Sequence, residues 1–310
     1  MTGADVMIRE VGPRDGLQIE PRFVDTADKI ALVEALVATG IRHIEVSSFV
    51  SPQAVPALKD AEEVFAGLKR REDTVYGALV PNERGAARAI VAGADELNFV
   101  MSASETHNRA NVGTDHSGSL ARLTGIATLA RQAGRLLNAT VATAFGCPFE
   151  GGQSQDKVMR IVKRYLDAGA IGITLADTTG MANPRQVGEL VRRALEIVPP
   201  AALTLHFHNT RGMGLVNVSA AYEAGARNFD ASIGGLGGCP FAPGASGNVC
   251  TEDLVNFLHE SGIATDIDLR GLLAISHRLP TLIGHAISGQ VAKAGLAGDL
   301  HAAPKMANAG

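Results

Sequence analysis

Short apolar or β-branched runs alternate along this chain with longer stretches in which apolar residues return every three or four positions. The first kind predicts strands at Val6–Glu10, His43–Ser47, Thr74–Leu79, Glu96–Met101, Ala139–Ala144, Gly172–Ala176, Leu203–His208 and Asn228–Ser232. The second kind predicts helices at Asp28–Thr39, Glu83–Ala92, His116–Ala133, Asp156–Ala168, Pro184–Val198 and Met213–Ala224, several of which run into a glycine, as a helix C-terminus should. A triplet with a central glycine recurs before strands: Thr39-Gly40-Ile41, Ala92-Gly93-Ala94, Ala168-Gly169-Ala170 and Ala224-Gly225-Ala226. Eight strand–helix units of roughly thirty residues each predict an α/β chain folded as a (β/α)8 TIM barrel rather than an open doubly wound sheet. An open sheet built for a dinucleotide would place G-x-G-x-x-G straight after the first strand, and that turn reads GPRDGLQ. The barrel is expected over residues 1–264, with residues 265–310 as additional C-terminal helices packed on it.

Composition narrows the setting. A chain of 310 residues with 46% hydrophobic and 19% charged side chains can bury a sizeable core. Its formal net charge of −4, without any Lys/Arg cluster, offers no footprint for nucleic acid or an anionic membrane surface, so small-molecule chemistry is expected. The N-terminal MTGADVMIREVG has no basic region followed by an apolar stretch, and no run approaches eighteen apolar residues, so a cytoplasmic location is expected. Three cysteines, Cys147, Cys239 and Cys250, make no disulfide framework and fit a reducing compartment.

In such a barrel the working face is the C-terminal end of the strands, and the unusual polar residues fall there. Gly12–Gly16 (GPRDG) follows the first strand, Glu45 and Ser47-Ser48 close the second, and Asp177-Thr178-Thr179-Gly180 follows the sixth. His206-Phe207-His208-Asn209 ends the seventh. His206 and His208 stand two apart on a strand, so both side chains point to one face, a chelating arrangement. With Asp15 and the carboxamide of Asn248 they make a sulfur-free N/O set suited to an octahedral divalent cation, Mg2+ or Mn2+.

Arg14, beside Asp15 in a turn where neighbouring side chains are expected to diverge, is placed to bind a substrate carboxylate or carbonyl oxygen or to stabilise an enolate. Glu45 either orients a ligand or polarises the site, or is a rim carboxylate paired with Arg14. Asp177 either joins the site or caps the following helix, and its place at a strand end favours the site. Gln18, Ser48, Thr178 and Arg211 are, with Arg14, the candidate substrate contacts. After the eighth strand, GGLGGCPFAPGASGN (Gly234–Asn248) packs six glycines, two prolines and the lone Cys239 into fifteen residues. Glycines impose little steric restriction, so the segment is expected to close as a lid that brings Cys239 toward the substrate.

The runs EVGPRDGLQIE, IEVSSFVSP, FGCPFEG, ADTTG and above all GGLGGCPFAPGASGNVCTEDLV resemble the 3-hydroxy-3-methylglutaryl-CoA lyase family of the DRE-TIM metallolyases, over nearly the whole chain. The resemblance implies a (β/α)8 barrel, a homodimer, an acyl-CoA substrate and a metal-dependent retro-Claisen cleavage giving acetyl-CoA and acetoacetate. It puts the metal ligands on Asp15, His206, His208 and Asn248, the substrate arginine on Arg14, the polarising glutamate on Glu45 and the mobile-loop cysteine on Cys239. Cys239 and His206 are the candidates for proton transfer. At one place the chain departs from the family's Asp-Thr-Tyr-Gly and reads Asn209-Thr210-Arg211-Gly212, which leaves open a related acyl group such as citramalyl-CoA or a longer-branched 3-hydroxyglutaryl-CoA. Two further readings are a Claisen-condensing synthase of the isopropylmalate or homocitrate type, and a non-catalytic ligand-binding barrel.

Overall fold

A computed structural model of the chain describes residues 4–238 and 247–300. Eight parallel strands close into a barrel: β1 (Met7–Glu10), β2 (His43–Ser48), β3 (Val75–Leu79), β4 (Glu96–Ser102), β5 (Leu136–Ala142), β6 (Gly172–Asp177), β7 (Leu203–Phe207) and β8 (Asn228–Ala231). Each strand pairs with its sequence neighbour, and β1 closes the ring on β8. The helices α1 (Thr26–Ala38), α2 (Ala61–Gly67), α3 (Glu83–Val91), α4 (Glu105–Val112), α5 (His116–Gln132), α6 (Gln155–Asp167), α7 (Pro184–Leu195) and α8 (Gly214–Glu223) lie between strands. They are followed by α9 (Thr251–Glu260), α10 (Leu269–Ser276), α11 (Leu279–Ile283) and α12 (Val291–Ala294), of which α10 packs on α9 and α1.

The barrel strands have no solvent side, yet they alternate apolar with polar residues, as in HIEVSS of β2 and LTLHF of β7, because one face meets the helices and the other meets a polar interior. β2 and β7 are buried along their whole lengths. The layer outside the barrel is held by helix side chains such as Tyr165 of α6, whose ring meets Phe99 of β4 edge-on at a centroid distance of 6.0 Å. Its hydroxyl donates to the Thr140 carbonyl at 3.0 Å, which satisfies the polar end of a fully buried side chain.

The barrel's interior is polar at its centre, where many barrels stack branched apolar layers. Arg9 of β1 crosses it: Nη2 pairs with Glu96 of β4, and Nη1 donates to Thr204 of β7 at 3.2 Å and to Asn138 of β5 at 3.5 Å. Glu96 also meets His43 Nε2 at 3.0 Å, and Asn138 Nδ2 donates to Asn98 and Thr174 at 3.0 Å each. Burial opposes a charged Glu96, but Arg9 and then His43 outweigh it and hold the carboxyl down at about 2.

Several expected boundaries shift. β5 begins at Leu136, not Ala139, because Asn138 is an interior hydrogen-bonding residue rather than the polar break its type implies. β7 ends at Phe207, and His208 instead forms an isolated antiparallel bridge to Asn248. The short helices α2 and α4 and a two-residue hairpin, Gly146–Cys147 with Gly151–Gly152, are additions to the expected pattern. No helix among the described residues is long and apolar enough to cross a membrane.

Candidate active site

The first βα turn brings the acidic and basic partners together. After β1 the chain makes one wide helical turn over Gly12–Gly16, with the amides of Arg14, Asp15 and Gly16 all donating to the Val11 carbonyl. That curl puts the two neighbouring side chains on the same side, against the expected divergence: Arg14 Nη1 lies 2.6 Å from Asp15 Oδ1. Arg14 Nε also pairs with Glu45 Oε2 at 2.5 Å, and Glu45 Oε1 accepts from Asn98 at 2.8 Å. Glu45 is thus a buried partner of Arg14 rather than a rim residue.

At the end of β7, Asp15, His206 and His208 offer ligand atoms that all lie within 4.8 Å of one another. His206 Nε2 faces His208 Nε2 at 3.1 Å, a separation at which two lone pairs repel unless a proton or a cation lies between them. Asn248 joins the group because the chain beyond the glycine segment returns along β7: Asn209 N donates to Gly247 O at 2.9 Å and Val249 N to Phe207 O at 3.0 Å. Asn248 Nδ2 then donates to Asp15 Oδ2 at 2.7 Å and to Leu236 O at 2.9 Å. Gly237, at φ +100°, is required by this approach, since a Cβ there would stand 2.6 Å from Asn248 Nδ2.

Two atoms test whether these residues suit a cation. Among the described residues Asn248 Oδ1 and His208 Nδ1 are buried without a hydrogen-bond partner. An orphaned amide oxygen beside a carboxylate and two imidazoles is a donor set for a divalent ion. The electrostatics agree. Burial raises Asp15, but Arg14, His206 and His208 pull it down to about 2, so it stays an anion. Burial and then His206 push His208 down to about 3, so its imidazole stays neutral. Burial lowers His206 too, yet Asp230 and then Asp15 reverse the shift and raise it.

The model of one protein family, described as HMGL-like, matches residues 5–279. The chain belongs to the HMGL-like family. It is 43% identical to the hydroxymethylglutaryl-CoA lyase of Bacillus subtilis, over 90% of this chain and 93% of that one. It is 41% identical to the (R)-citramalyl-CoA lyase of Chloroflexus aurantiacus, over 94% and 95%. A solved HMG-CoA lyase of Acinetobacter baumannii, in complex with coenzyme A and 3-methylmalate, matches at a TM-score of 0.95 and 55% identity, over 98% of this chain and 100% of that one.

The other expected residues of this HMGL-like chain are placed as follows. Asp177 Oδ1 accepts from Met181 N and Ala182 N at 2.8 and 3.0 Å, closing the turn before α7, while burial raises its carboxyl to about 6. Thr178 Oγ1 accepts from Thr143 N at 3.0 Å, and Ser48 Oγ is buried with no partner among the described residues. Gln18 is half-buried in the short turn Leu17–Ile19. Arg211 is exposed and donates through Nη1 to the carbonyls of Thr179 and Gly180 at 2.9 and 2.8 Å, tying the β7 loop to the β6 loop. Asn209 accepts from Gly214 N at 3.0 Å, so its side chain serves the start of α8. Cys239 lies outside the described residues.

Sequence reasoning missed the supports beneath the site. Glu10 Oε1 accepts from Gly12 N and Ile233 N at 2.7 and 2.9 Å, and Oε2 accepts from Thr251 Oγ1 at 2.7 Å. Glu252 accepts from Gly234 N at 3.0 Å and from Ser276 Oγ at 2.6 Å. Two buried carboxyl groups therefore join the β1 turn, the start of the glycine segment, α9 and α10. The signal available was a glutamate ending an otherwise enclosed strand in MIRE.

Burial pushes Glu10 up to about 7, against its three hydrogen bonds. The native state then keeps a proton that the unfolded chain releases above about 4.5. Stability from this group is accordingly full below about 4.5 and falls as pH rises toward 7. Glu10→Gln keeps an acceptor for Gly12 and Ile233 and removes that fall. Urea unfolding should show the variant gaining on the parent between pH 5 and 8 by at most about 3 kcal/mol, whereas parallel profiles would count against a protonated Glu10.

Proposed function

We propose that this chain is a metal-dependent carbon–carbon lyase that cleaves 3-hydroxy-3-methylglutaryl-CoA to acetyl-CoA and acetoacetate. The observation that carries the reading is the group Asp15, His206 and His208 beside the Arg14–Glu45 pair, in a chain whose relatives are named as lyases of this kind. Asp15, His206, His208 and Asn248 would hold the ion. A divalent cation such as Mg2+ or Mn2+ held there would supply Lewis-acid polarisation of the substrate's oxygens.

The chain's own residues supply the rest. Arg14, fixed through Nε and Nη1, keeps other N–H groups for the oxygen on which charge develops as the thioester enolate leaves. In the cleavage the hydroxyl loses its proton, the bond between the hydroxyl-bearing carbon and the thioester's α-carbon breaks, and the α-carbon takes the electron pair and then a proton. Proton transfer is assigned to Cys239 or His206. Glu45 and Asn98 hold Arg14 in place, and Gln18, Ser48, Thr178 and Arg211 remain the proposed substrate contacts. A coenzyme A thioester as substrate accords with the coenzyme A bound to the Acinetobacter baumannii lyase.

Cleavage of citramalyl-CoA is a second reading, favoured by the Chloroflexus aurantiacus relative and by Arg211 in the β7 loop. An assay of both thioesters with EDTA, then with Mg2+ or Mn2+ restored, tests the two together. Acetoacetate released only with the cation supports the first reading, and pyruvate in its place supports the second. No cation-dependent acetyl-CoA from either substrate would remove the lyase reading.

A further inference from the structure

Arg9, Asp230 and His206 form one line across three adjacent strands. They are in register, Arg9 of β1 opposite Asp230 of β8 and Asp230 opposite His206 of β7, so all three side chains point into the barrel at one level. Asp230 Oδ2 meets His206 Nδ1 at 3.1 Å. Its other oxygen, Oδ1, faces Arg9 Nε at 3.6 Å, and neither atom has a hydrogen-bond partner among the described residues.

A buried carboxylate is costly unless it is paired, so Asp230 needs a reason. Neutralising Arg9 is not a sufficient one, because Glu96 already accepts from Arg9 Nη2 and forms the closer ion pair. The negative charge of Asp230 is therefore available to the imidazole. An acceptor at Nδ1 makes that nitrogen the N–H donor and leaves the lone pair on Nε2, the nitrogen turned toward His208.

We propose that Asp230 is a positioning residue that holds His206 with Nδ1 protonated and Nε2 free for the cation, and that Arg9, anchored by Glu96 across the barrel, keeps Asp230 in place. This rests on the reading of Asp15, His206 and His208 as a cation site.

Two measurements test it. In protein carrying 15N-labelled histidine, the deprotonated His206 ring should give the shift pattern of an Nδ1–H tautomer, both free and with Mg2+. An Nε2–H tautomer would overturn the proposal without any variant having to fold. Mn2+ titration monitored by electron paramagnetic resonance should show Asp230→Asn binding about 10- to 100-fold more weakly than the parent, with His208→Ala as control. If His208→Ala loses Mn2+ while Asp230→Asn binds it as the parent does, Asp230 only supports the fold and this inference falls alone. If His208→Ala binds Mn2+ as the parent does, the cation reading itself fails. Should Asp230→Asn not fold, Arg9→Lys takes its place and should weaken Mn2+ binding by a smaller factor. Unchanged affinity in that variant would overturn the role of Arg9.

Discussion

His208→Ala will lower turnover by roughly a thousandfold or more while the barrel stays folded, because a bound cation contributes several kcal/mol of charge stabilisation to a reaction of this kind. The side chain lies past the end of β7, bridged to Asn248 through backbone, so its removal leaves the strand and the layers beneath it intact. Among the described residues its Nδ1 has no hydrogen-bond partner and its Nε2 meets His206 beside Asp15, so few hydrogen bonds are lost with it. Circular dichroism should report a parent-like melt, and Mn2+ titration a large loss of affinity. A variant that unfolds readily but binds Mn2+ normally when folded would mean that the histidine is there for packing.

Arg14→Gln should damage both chemistry and stability. The loss of a preorganised donor at a developing oxyanion costs about 100- to 1,000-fold in kcat. The same change strips the countercharge from two carboxylates, Asp15 at 2.6 Å and Glu45 at 2.5 Å, and breaking a buried pair by removing one member costs about 3 kcal/mol or more. The acid limb provides a second signature. Arg14 leads the influences that lower Asp15 to about 2 against burial, so Asp15 stabilises the parent above about 3.8 and less as pH falls toward 2. Without Arg14 the folded carboxyl titrates closer to its unfolded value, so that window narrows from its acid side and the loss across it shrinks. A loss of kcat with an unchanged acid limb would separate the catalytic contact from the ion pair.

The barrel was legible because short apolar or β-branched runs recur eight times between stretches of helical period, and each of the eight predicted runs overlaps an observed strand. Where polar residues face the interior the pattern fails, as at Asn138, because residue type alone does not distinguish a polar group bonded inside a barrel from one in water. Helices α2 and α4 escaped notice because seven or eight residues carry too little period to stand out. The gathering of Asp15, His206 and His208 was foreseeable from strand parity and from the rule that strand ends share a mouth. The divergence expected of Arg14 from Asp15 failed because a turn in which three amides share one carbonyl has no sequence rule. Asp230 was invisible for a related reason: its meaning depends on register with two other strands, and register across a closed barrel is not local information.

The charged interior also has a bearing on the order in which the chain can fold. Arg9 finds Glu96 within the first four strands, so an N-terminal half emerging from the ribosome already contains a neutralising partner for its central cation. Asp230 and His206 come only with the second half, and β1 cannot complete its pairing until β8 has been made. Contacts spanning more than 200 residues are slow to form, so barrel closure is a late event for this topology. The cation site would then be among the last features to assemble, and metal capture during refolding would time the closing of the ring rather than the collapse that precedes it.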